Sequence, residues 1–257
     1  MATKHNVLAY FAHPDDETMF AGGTLALLAN LGADVFYLCA TRGEGGEVGE
    51  PSVCSYSELG EVREKEFYCA VEQLGGKKAD ILGYVDPRVG EDDTLFAFEA
   101  DEELLARRTL EYIIENDISV VITHGSSGEY GHPAHCLVHR SALRTVEGIK
   151  RRIVPIYTVQ AAYQGNPKKR SMNEEDPADL ILDVSTMLEQ KTRATYCYKT
   201  QHALFVRRKS EELGRQVSIP EIVINQESIH RYYPKLTAQN SDWMYDLLFG
   251  SEYCIQE

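Results

Sequence analysis

Short apolar runs alternate with helix-length segments through the first 160 residues of this 257-residue chain. Apolar runs separated by helices are typical of a parallel sheet that is covered on both faces. Since crossovers between parallel strands are right-handed, we predict a Rossmann-like, three-layer α/β/α fold with a mostly parallel sheet. The predicted strands are 7–12, 35–40, 81–85, 119–123 and 153–160, and the predicted helices are 18–31, 59–74, 102–114 and 134–150.

The rest of the chain carries a weaker pattern. A polar stretch at 164–179, which contains two prolines, predicts a surface loop. A strand at 180–184, one helix at 185–210 and a short closing helix at 241–249 follow. No repeat or low-complexity tract divides the sequence, so we expect a single domain over 1–257.

Composition narrows the classes of partner. Asp and Glu outnumber Lys and Arg by 40 to 26, and the resulting formal charge of −14 disfavours nucleic acid and anionic membrane surfaces as partners. Neither a run of about eighteen apolar residues nor a signal peptide is visible, so we expect no membrane span and a cytoplasmic location. The six cysteines form no CxxC pair, and we expect free thiols rather than disulfides.

The motif His13-Pro14-Asp15-Asp16 directly follows the first predicted strand. A neutral imidazole together with a carboxylate suits zinc or another first-row divalent ion. Two adjacent carboxylates would repel each other in a dry site unless a cation lies between them or one of them is protonated. The alternative interpretation is that Asp15 or Asp16 only caps the following helix.

A second cluster, Gly131-His132-Pro133-Ala134-His135, has His139 four residues further on. His135 and His139 share one helix face at the i, i+4 spacing of many paired metal ligands. Any of these histidines alone would more often be structural. Together with the first motif, the cluster completes a His/His/carboxylate set that leaves one position open for water, as in catalytic zinc sites.

Topology predicts where these motifs lie. The carboxyl ends of parallel strands share one edge of a sheet, and ligands of open α/β folds bind at that edge. His13, Arg42 and His124 each fall just after a predicted strand. We therefore expect their loops to meet at one place.

The motifs together resemble the LmbE-like, or PIG-L, deacetylase family, whose members are metal-dependent amidases acting on molecules that contain N-acetylglucosamine. The opening signature His-Pro-Asp-Asp-Glu stands at 13–17, and the histidine motif stands at 132–135. The resemblance spans nearly the whole chain. Its further matches are Thr-x-Gly-x-x-Gly at 41–46, Arg-x-x-Glu at 63–66, Gln-His at 201–202 and Glu-x-x-His-Arg-x-Tyr-Pro at 227–234.

The resemblance implies that His13, Asp16 and His135 bind the metal. Zn²⁺ is the expected ion, and Fe²⁺ is the alternative because the same triad occurs in non-haem iron sites. The resemblance also implies that Asp15 is the general base that takes a proton from the attacking water. Asp16 would then stay ionised against the metal while Asp15 gains and loses its proton.

Four further residues receive roles from the same resemblance. His132 would support the oxyanion or protonate the leaving amine, and Tyr130 would polarise the carbonyl or act as an acid. Arg63 and Asp86 match positions that contact the substrate. In one departure, Ala134 stands where the family usually has Asp, so another group must orient His132 or its role is weaker.

The implied function is removal of the N-acetyl group from a small N-acetylglucosamine-containing substrate by a zinc-dependent deacetylase, releasing acetate and a free amine. A homo-oligomer is compatible with the sequence. One alternative is an amidase that acts on another acyl amine or a thiol conjugate, and another is a Rossmann-like module that binds a ligand without catalysis. A structural zinc protein ranks last, because no cysteine lies at ligand spacing.

Overall fold

The computed structural model describes residues 5–255 of the chain. Every strand and helix predicted in the first 160 residues is present, with shifted ends. The strands are β1 (Asn6–Phe11), β2 (Asp34–Thr41), β3 (Lys78–Tyr84), β4 (Val120–Thr123), β5 (Ile156–Val159), β6 (Ala161–Ala162), β7 (Asn173–Pro177), β8 (Leu180–Asp183) and β9 (Gln226–Tyr233). The helices are α1 (Asp16–Asn30), α2 (Leu59–Gln73), α3 (Glu102–Glu115), α4 (Gly128–Gly131), α5 (Pro133–Glu147), α6 (Leu188–Cys197), α7 (His202–Leu213), α8 (Ile219–Ile222) and α9 (Trp243–Leu248).

The main sheet has seven strands in the order β3-β2-β1-β4-β5-β9-β8. The five strands from β3 to β5 pair in parallel, whereas β9 is antiparallel to both of its neighbours. The chain runs from β1 outward to β2 and β3, then returns to β4 on the other side of β1. The strand order therefore reverses between β1 and β4, and the predicted, mostly parallel sheet is confirmed.

Two apolar cores cover the two faces of this sheet. Along β1, Val7, Ala9 and Phe11 face one core, while Leu8 and Tyr10 face the other. Helices α1, α2 and α6 pack on the first face, and α3 and α5 pack on the second. The strand is apolar throughout because both of its faces are buried. This arrangement is the three-layer fold expected from the sequence.

The predictions for the chain beyond residue 160 are partly wrong. The polar stretch predicted to be a surface loop contains β7, which pairs with β6. The single helix expected at 185–210 is two helices, α6 and α7, with a turn between them. Tertiary contacts fix this turn: Tyr198 donates a hydrogen bond to buried Glu17 at 2.5 Å, and the Thr200 hydroxyl donates to Glu66 at 2.6 Å. No Gly or Pro marks the turn in the sequence.

Strand β9 was missed because polar residues interrupt it. Glu227 and Arg231 of β9 are nonetheless buried. Glu227 Oε1 lies 2.6 Å from the Nζ atom of buried Lys191 in α6. The same carboxylate accepts hydrogen bonds from the backbone N–H groups of Gly23 and Thr24, at 2.9 and 2.7 Å. Strand β9 thus anchors α6 through an ion pair and α1 through hydrogen bonds, both made by the buried Glu227 carboxylate.

The expectation of free thiols is wrong for two cysteines. Cys69 of α2 and Cys197 of α6 form a disulfide, with their Cα atoms 5.8 Å apart. The two helices pack side by side on one face of the sheet, and a sequence separation of 128 residues conceals this contact. The remaining cysteines, Cys39, Cys54, Cys136 and Cys254, are free. No helix within 5–255 is long and apolar enough to cross a membrane.

Candidate metal centre and active site

The carboxyl ends of β1 and β4 mark the point where the strand order reverses, which is where open α/β sheets bind their ligands. His13 follows β1, and His124 follows β4. As topology predicts, the two side chains meet at one place, since His13 Nδ1 and His124 Nε2 lie 3.2 and 3.4 Å from the same atom, Asp16 Oδ2. Arg42 does not join them, because its Nε atom lies 3.0 Å from Oε1 of Glu44 in an ion pair.

Donor atoms of three residues converge at this edge. His13 Nδ1 lies 3.3 Å from His135 Nε2 and 3.2 Å from Asp16 Oδ2. Asp16 Oδ1 lies 3.4 Å from His135 Nε2. Asp16 begins α1, and His135 lies in the first turn of α5, so the set draws on both helical layers. These are the three residues predicted as metal ligands, and their nitrogen and oxygen atoms are the donors that zinc and iron(II) accept.

The charges in the cluster favour a cation. Burial alone would raise the pKa of Asp16, but His135 and His13 hold it well below its usual range. Burial alone would lower the pKa of His13, but Asp86 and Asp16 raise it to about 10. The carboxylates therefore stabilise a positive charge among the imidazoles, and a divalent ion would supply one.

Glu129 is a buried carboxylate that the sequence reasoning missed. Its Oε2 atom lies 2.6 Å from Nδ1 of His135 and 2.9 Å from Nδ1 of His124. Carboxylates in this position fix the tautomer of a ligand histidine and turn its other nitrogen toward the metal. The only sequence signal was an acidic residue just before Tyr130 in a Gly-rich loop, which has no diagnostic spacing.

The backbone around Glu129 is arranged to hold its side chain. Glu129 has φ 59°, a conformation that costs a non-glycine residue about 1–3 kcal/mol. Three contacts offset this strain: Gly125 N donates to Glu129 Oε1 at 2.8 Å, Glu129 N donates to Asn173 Oδ1 at 3.0 Å, and Asn173 Nδ2 donates to Oε1 at 3.3 Å. Asn173 belongs to β7, so the unpredicted strand supports the site.

His124 is close enough to Asp16 and His135 to be considered a ligand as well. Both of its ring nitrogens are already engaged, however. Nε2 accepts the N–H of Ala12 at 2.9 Å, and Nδ1 faces Glu129. Its ring stacks on that of His135, with centroids 3.9 Å apart. We therefore interpret His124 as a residue that packs against and orients His135.

Asp15 lies beside the three donor residues in a strained backbone conformation, with φ 112°. Its Oδ2 atom accepts a hydrogen bond from Arg63 Nη2 at 2.9 Å. Burial raises the pKa of Asp15 to about 8, against the opposing charge of Arg63. Asp15 does not accept hydrogen bonds from the first turn of α1 with its side chain, so the helix-cap interpretation fails for this residue.

Arg63 is itself almost fully buried, at 3% exposure. It also donates to the carbonyl oxygens of Pro14 and Gly43. Gly43 has φ 69°, and a Cβ atom there would lie 2.2 Å from Arg63 Nη1, so only glycine leaves room for the guanidinium. Asp86 lies 3.2 Å from His13 Nε2 through its Oδ1 atom and accepts Gly45 N–H at 3.3 Å. Substrate contact by Arg63 and Asp86 stays a prediction.

His132 and Tyr130 flank the cluster. His132 Nδ1 accepts the N–H of Ala134 at 3.2 Å and so caps α5. The family usually has Asp at position 134, and here the backbone amide of Ala134 orients His132 instead. The amide occupies Nδ1, so the proton of the neutral ring is on Nε2. Burial, followed by the charges of His13 and His135, lowers the pKa of His132 to about 3. The ring of Tyr130 lies 5.8 Å from that of His132.

A cleft of about 1050 Å³ opens over these side chains. Asp15, Asp16, Tyr130 and His132 line its floor, and residues of α7 and of the loops around 45–47, 88–95 and 168–171 line its walls. His139, the remaining member of the histidine cluster, is buried away from the cleft and faces the carbonyl oxygen of His124 at 3.0 Å.

The fold and the cluster together define an α/β protein with a candidate mononuclear metal centre at the switch point of its sheet. Residues 8–146 match the family described as PIG-L, GlcNAc-PI de-N-acetylase. Because this match covers more than half of the chain, the protein belongs to the PIG-L family. The resemblance drawn from the sequence motifs is confirmed.

Curated relatives carry names of the same chemical class. A 1D-myo-inositol 2-acetamido-2-deoxy-alpha-D-glucopyranoside deacetylase of Kineococcus radiotolerans is 36% identical over 159 residues, which is 54% of this chain and 44% of that protein. The enzyme of the same name from Mycobacteroides abscessus is 29% identical, with 98% of this chain and 100% of that protein covered. A probable N-acetyl-alpha-D-glucosaminyl L-malate deacetylase of Bacillus cereus is 28% identical, with 77% and 84% covered.

Solved structures share the fold. An N,N'-diacetylchitobiose deacetylase from Pyrococcus horikoshii superposes with a TM-score of 0.60 at 19% identity, covering 91% of this chain and 88% of that one. A 4-carboxy-2-hydroxymuconate hydratase from Pseudomonas putida superposes with a TM-score of 0.62 at 20% identity, covering 92% and 100%. The reactions of these two proteins differ, so the fold alone assigns no reaction.

Proposed function

We propose that this protein is a metal-dependent deacetylase that removes the acetyl group from an N-acetylglucosamine conjugate and releases acetate and a free amine. One observation carries the proposal. His13, Asp16 and His135 bring donor atoms within 3.4 Å of each other in every pairing, and the carboxylate of the neighbouring Asp15 lines the same cleft. A ligand set with an adjacent proton acceptor is what hydrolysis of an amide requires.

Zn²⁺, or Fe²⁺ as the alternative, fits this donor set in charge and in ligand type. A bound ion of this kind would lower the pKa of a water molecule and polarise the acetyl carbonyl. Asp16 and the two histidines would hold the ion, and Glu129 would keep His135 turned toward it. The protein's other residues would move the protons and position the substrate.

Asp15 is the proposed general base. Arg63 occupies its Oδ2 atom, so we assign Oδ1 as the atom that takes a proton from the attacking water. The water oxygen forms a bond to the acetyl carbon, and the carbon–nitrogen bond then breaks. The proton held by Asp15 passes to the leaving nitrogen, so the amine departs neutral and the carboxylate is regenerated.

His132 is the proposed donor to the developing oxyanion. Its Nδ1 atom accepts a backbone N–H, which leaves the proton on Nε2, so the neutral ring can donate one hydrogen bond. A donor of this kind typically contributes about 10²–10³ in rate. Tyr130, which is 43% exposed and lines the cleft beside His132, is placed to assist from the substrate side.

The amino sugar is proposed from the names of the relatives, which act on glucosaminides of myo-inositol or L-malate. The first experiment measures acetate release from both N-acetylglucosaminides, using protein that has been stripped of metal and reloaded with Zn²⁺ or Fe²⁺. Release that depends on the metal and vanishes in Asp15→Asn supports the proposal. A metal-loaded protein that releases acetate from neither conjugate, nor from free N-acetylglucosamine, argues for a binding module or another acyl amine.

A further inference from the structure

The walls of the cleft are rich in cations, although the chain as a whole carries a formal charge of −14. Besides Arg63 at its floor, the cleft is lined by six basic side chains. They are Arg88, Lys168, Arg170, Arg207, Arg208 and Lys209.

Two of these six cations are already neutralised. Arg207 pairs with Glu47, and Lys209 Nζ lies 3.0 Å from Glu212 Oε2. Lys168, Arg170, Arg208 and Arg88 form no ion pair with any carboxylate within residues 5–255. The cleft walls also carry the carboxylates of Asp93 and Glu211, so the four cations without a carboxylate partner in the described residues outnumber these two acidic groups.

Two of these cations are separated from the proposed metal ligand His135 by a single aromatic ring. The Arg208 guanidinium is 5.9 Å from the ring centroid of Tyr130, and that ring is 5.4 Å from the ring of His135. Lys168 Nζ is 5.7 Å from the ring centroid of Phe20, and that ring is 5.9 Å from the ring of His135. A group held between these cations would lie beside an acetamide placed at the metal centre.

Within residues 5–255, Lys168 has no carboxylate at ion-pair distance, although the charges of Glu227 and Glu212 act on it from further away. Its Nζ atom donates to the carbonyl oxygen of Met19 and has no carboxylate partner within the described part of the chain. Burial and the nearby charge of Lys191 lower the pKa of Lys168 to about 7. An anion bound beside Lys168 would raise this pKa again, because an opposite charge favours the protonated amine.

We propose that Lys168, Arg170 and Arg208 form a subsite for an anionic group, a phosphate or a carboxylate, attached to the anomeric carbon of the amino sugar. The inference rests on the proposed function for the position of the sugar. It selects, among N-acetylglucosamine conjugates, those with a negatively charged aglycone over those with a neutral one such as myo-inositol. Salt-sensitive binding and a preference for charged conjugates follow from it.

The test measures binding by calorimetry, with zinc-loaded Asp15→Asn protein so that no ligand is consumed. The probes are N-acetylglucosamine, its 1-phosphate and its L-malate glycoside. We expect both charged probes to bind at least about tenfold more tightly than the neutral sugar at low salt, since hydrogen bonds to charged groups are among the stronger ones. The two charged probes also distinguish a phosphate subsite from a carboxylate subsite.

Substitutions separate this subsite from direct binding of the anion to the metal. Arg208→Gln and Lys168→Met should each reduce the affinity for the preferred charged probe about tenfold and leave the affinity for N-acetylglucosamine unchanged. Arg151→Gln is the matched control, because Arg151 is an exposed arginine that precedes β5 and so lies at the opposite end of the strands from the cleft. Charged probes that bind no more tightly than the sugar, or equally tightly to all three variants, would overturn the subsite.

The subsite and the proposed function fail separately. Acetate release by the protein with Asp15 intact tests the reaction, and calorimetry tests the subsite without any turnover. Release of acetate together with equal affinity for all three probes would retain the reaction and reject the subsite. Preferential binding of a charged probe without release from any conjugate would retain the subsite and reject the reaction.

Discussion

Asp16 and His135 approach to 3.4 Å across the edge of the sheet, although one begins a helix on one face and the other lies in a helix on the opposite face. Neither helical layer alone brings the two side chains together. The contact is possible because β1 and β4 are adjacent. The chain continues from β1 into α1 on one face of the sheet and from β4 toward α5 on the other face. The candidate metal centre is therefore a property of the whole three-layer fold.

The two adjacent aspartates should respond differently to the same substitution. Asp15→Asn should retain about one equivalent of metal and lose about 10²–10⁴ in kcat, because it removes only the proton acceptor. Asn tolerates the positive φ of Asp15 well, so the backbone should persist. Metal analysis after desalting, together with steady-state kinetics, measures both quantities.

Asp16→Asn is the partner experiment. It should lose metal as well as activity, because the substitution removes a ligand charge. Full metal and full activity in both variants would show that the assignment of these residues is wrong. Loss of metal in Asp15→Asn alone would show that Asp15 is the ligand and that Asp16 is not.

Glu129→Gln should weaken metal binding without removing any ligand. The Gln side chain has no negative charge to fix the tautomer of His135. The loss of such a partner typically lowers metal affinity about 10–100-fold. Competition with a chromophoric chelator measures the affinity. Asp101→Asn, at the start of α3, removes the same charge from an exposed helix cap and should leave the affinity unchanged. Equal affinities in both variants would contradict the role of Glu129.

Substitutions of the buried ion pair Lys191–Glu227 should have non-additive effects on the free energy of unfolding. Lys191→Met leaves the Glu227 carboxylate buried without its cation, which typically costs about 3–5 kcal/mol in the free energy of unfolding. The double variant Lys191→Met with Glu227→Gln should lose clearly less than the sum of the single losses. Urea unfolding of the wild type and all three variants measures the cycle, and additive losses would show that the two charges do not interact.

The disulfide predicts a specific pattern of thiol labelling. Denatured, unreduced protein should take up alkylating reagent at Cys39, Cys54, Cys136 and Cys254 alone, as read by mass spectrometry. Cys69→Ser should lower the stability by about 2–4 kcal/mol, whereas Cys54→Ser, at a half-buried free thiol, should change it little. Labelling of all six cysteines in protein trapped at cell lysis would show that the bond is absent in the cell and would favour the cytoplasmic location predicted from the sequence.

The sequence predicted the first five strands and their helices because each signal was local. Apolar runs, Gly stops and helical spacing are read within a few residues, and the strand-end rule then located His13 and His124 without any contact information. The family resemblance supplied the ligand set His13, Asp16 and His135, and the adjacency of β1 and β4 explains why these residues converge.

What the sequence concealed depends on contacts between distant segments. Glu129 functions through two imidazoles and through Asn173, and none of these partners stands at a regular spacing from it. Strand β9 has buried polar residues because their partners lie in α1 and α6, so its apolar pattern is broken. The disulfide depends on the packing of α2 against α6, which no local pattern encodes.

The family match ends at residue 146, yet much of what immobilises the centre comes later in the chain. Asn173 holds the carboxylate behind His135, and Glu227 accepts hydrogen bonds from backbone amides within the helix that begins with Asp16. A gene fragment encoding only the matched segment would supply every proposed ligand without the frame that aligns them. Chimaeras between relatives should therefore exchange both halves together. A second half from another protein would place its supporting side chains to fit a different first half.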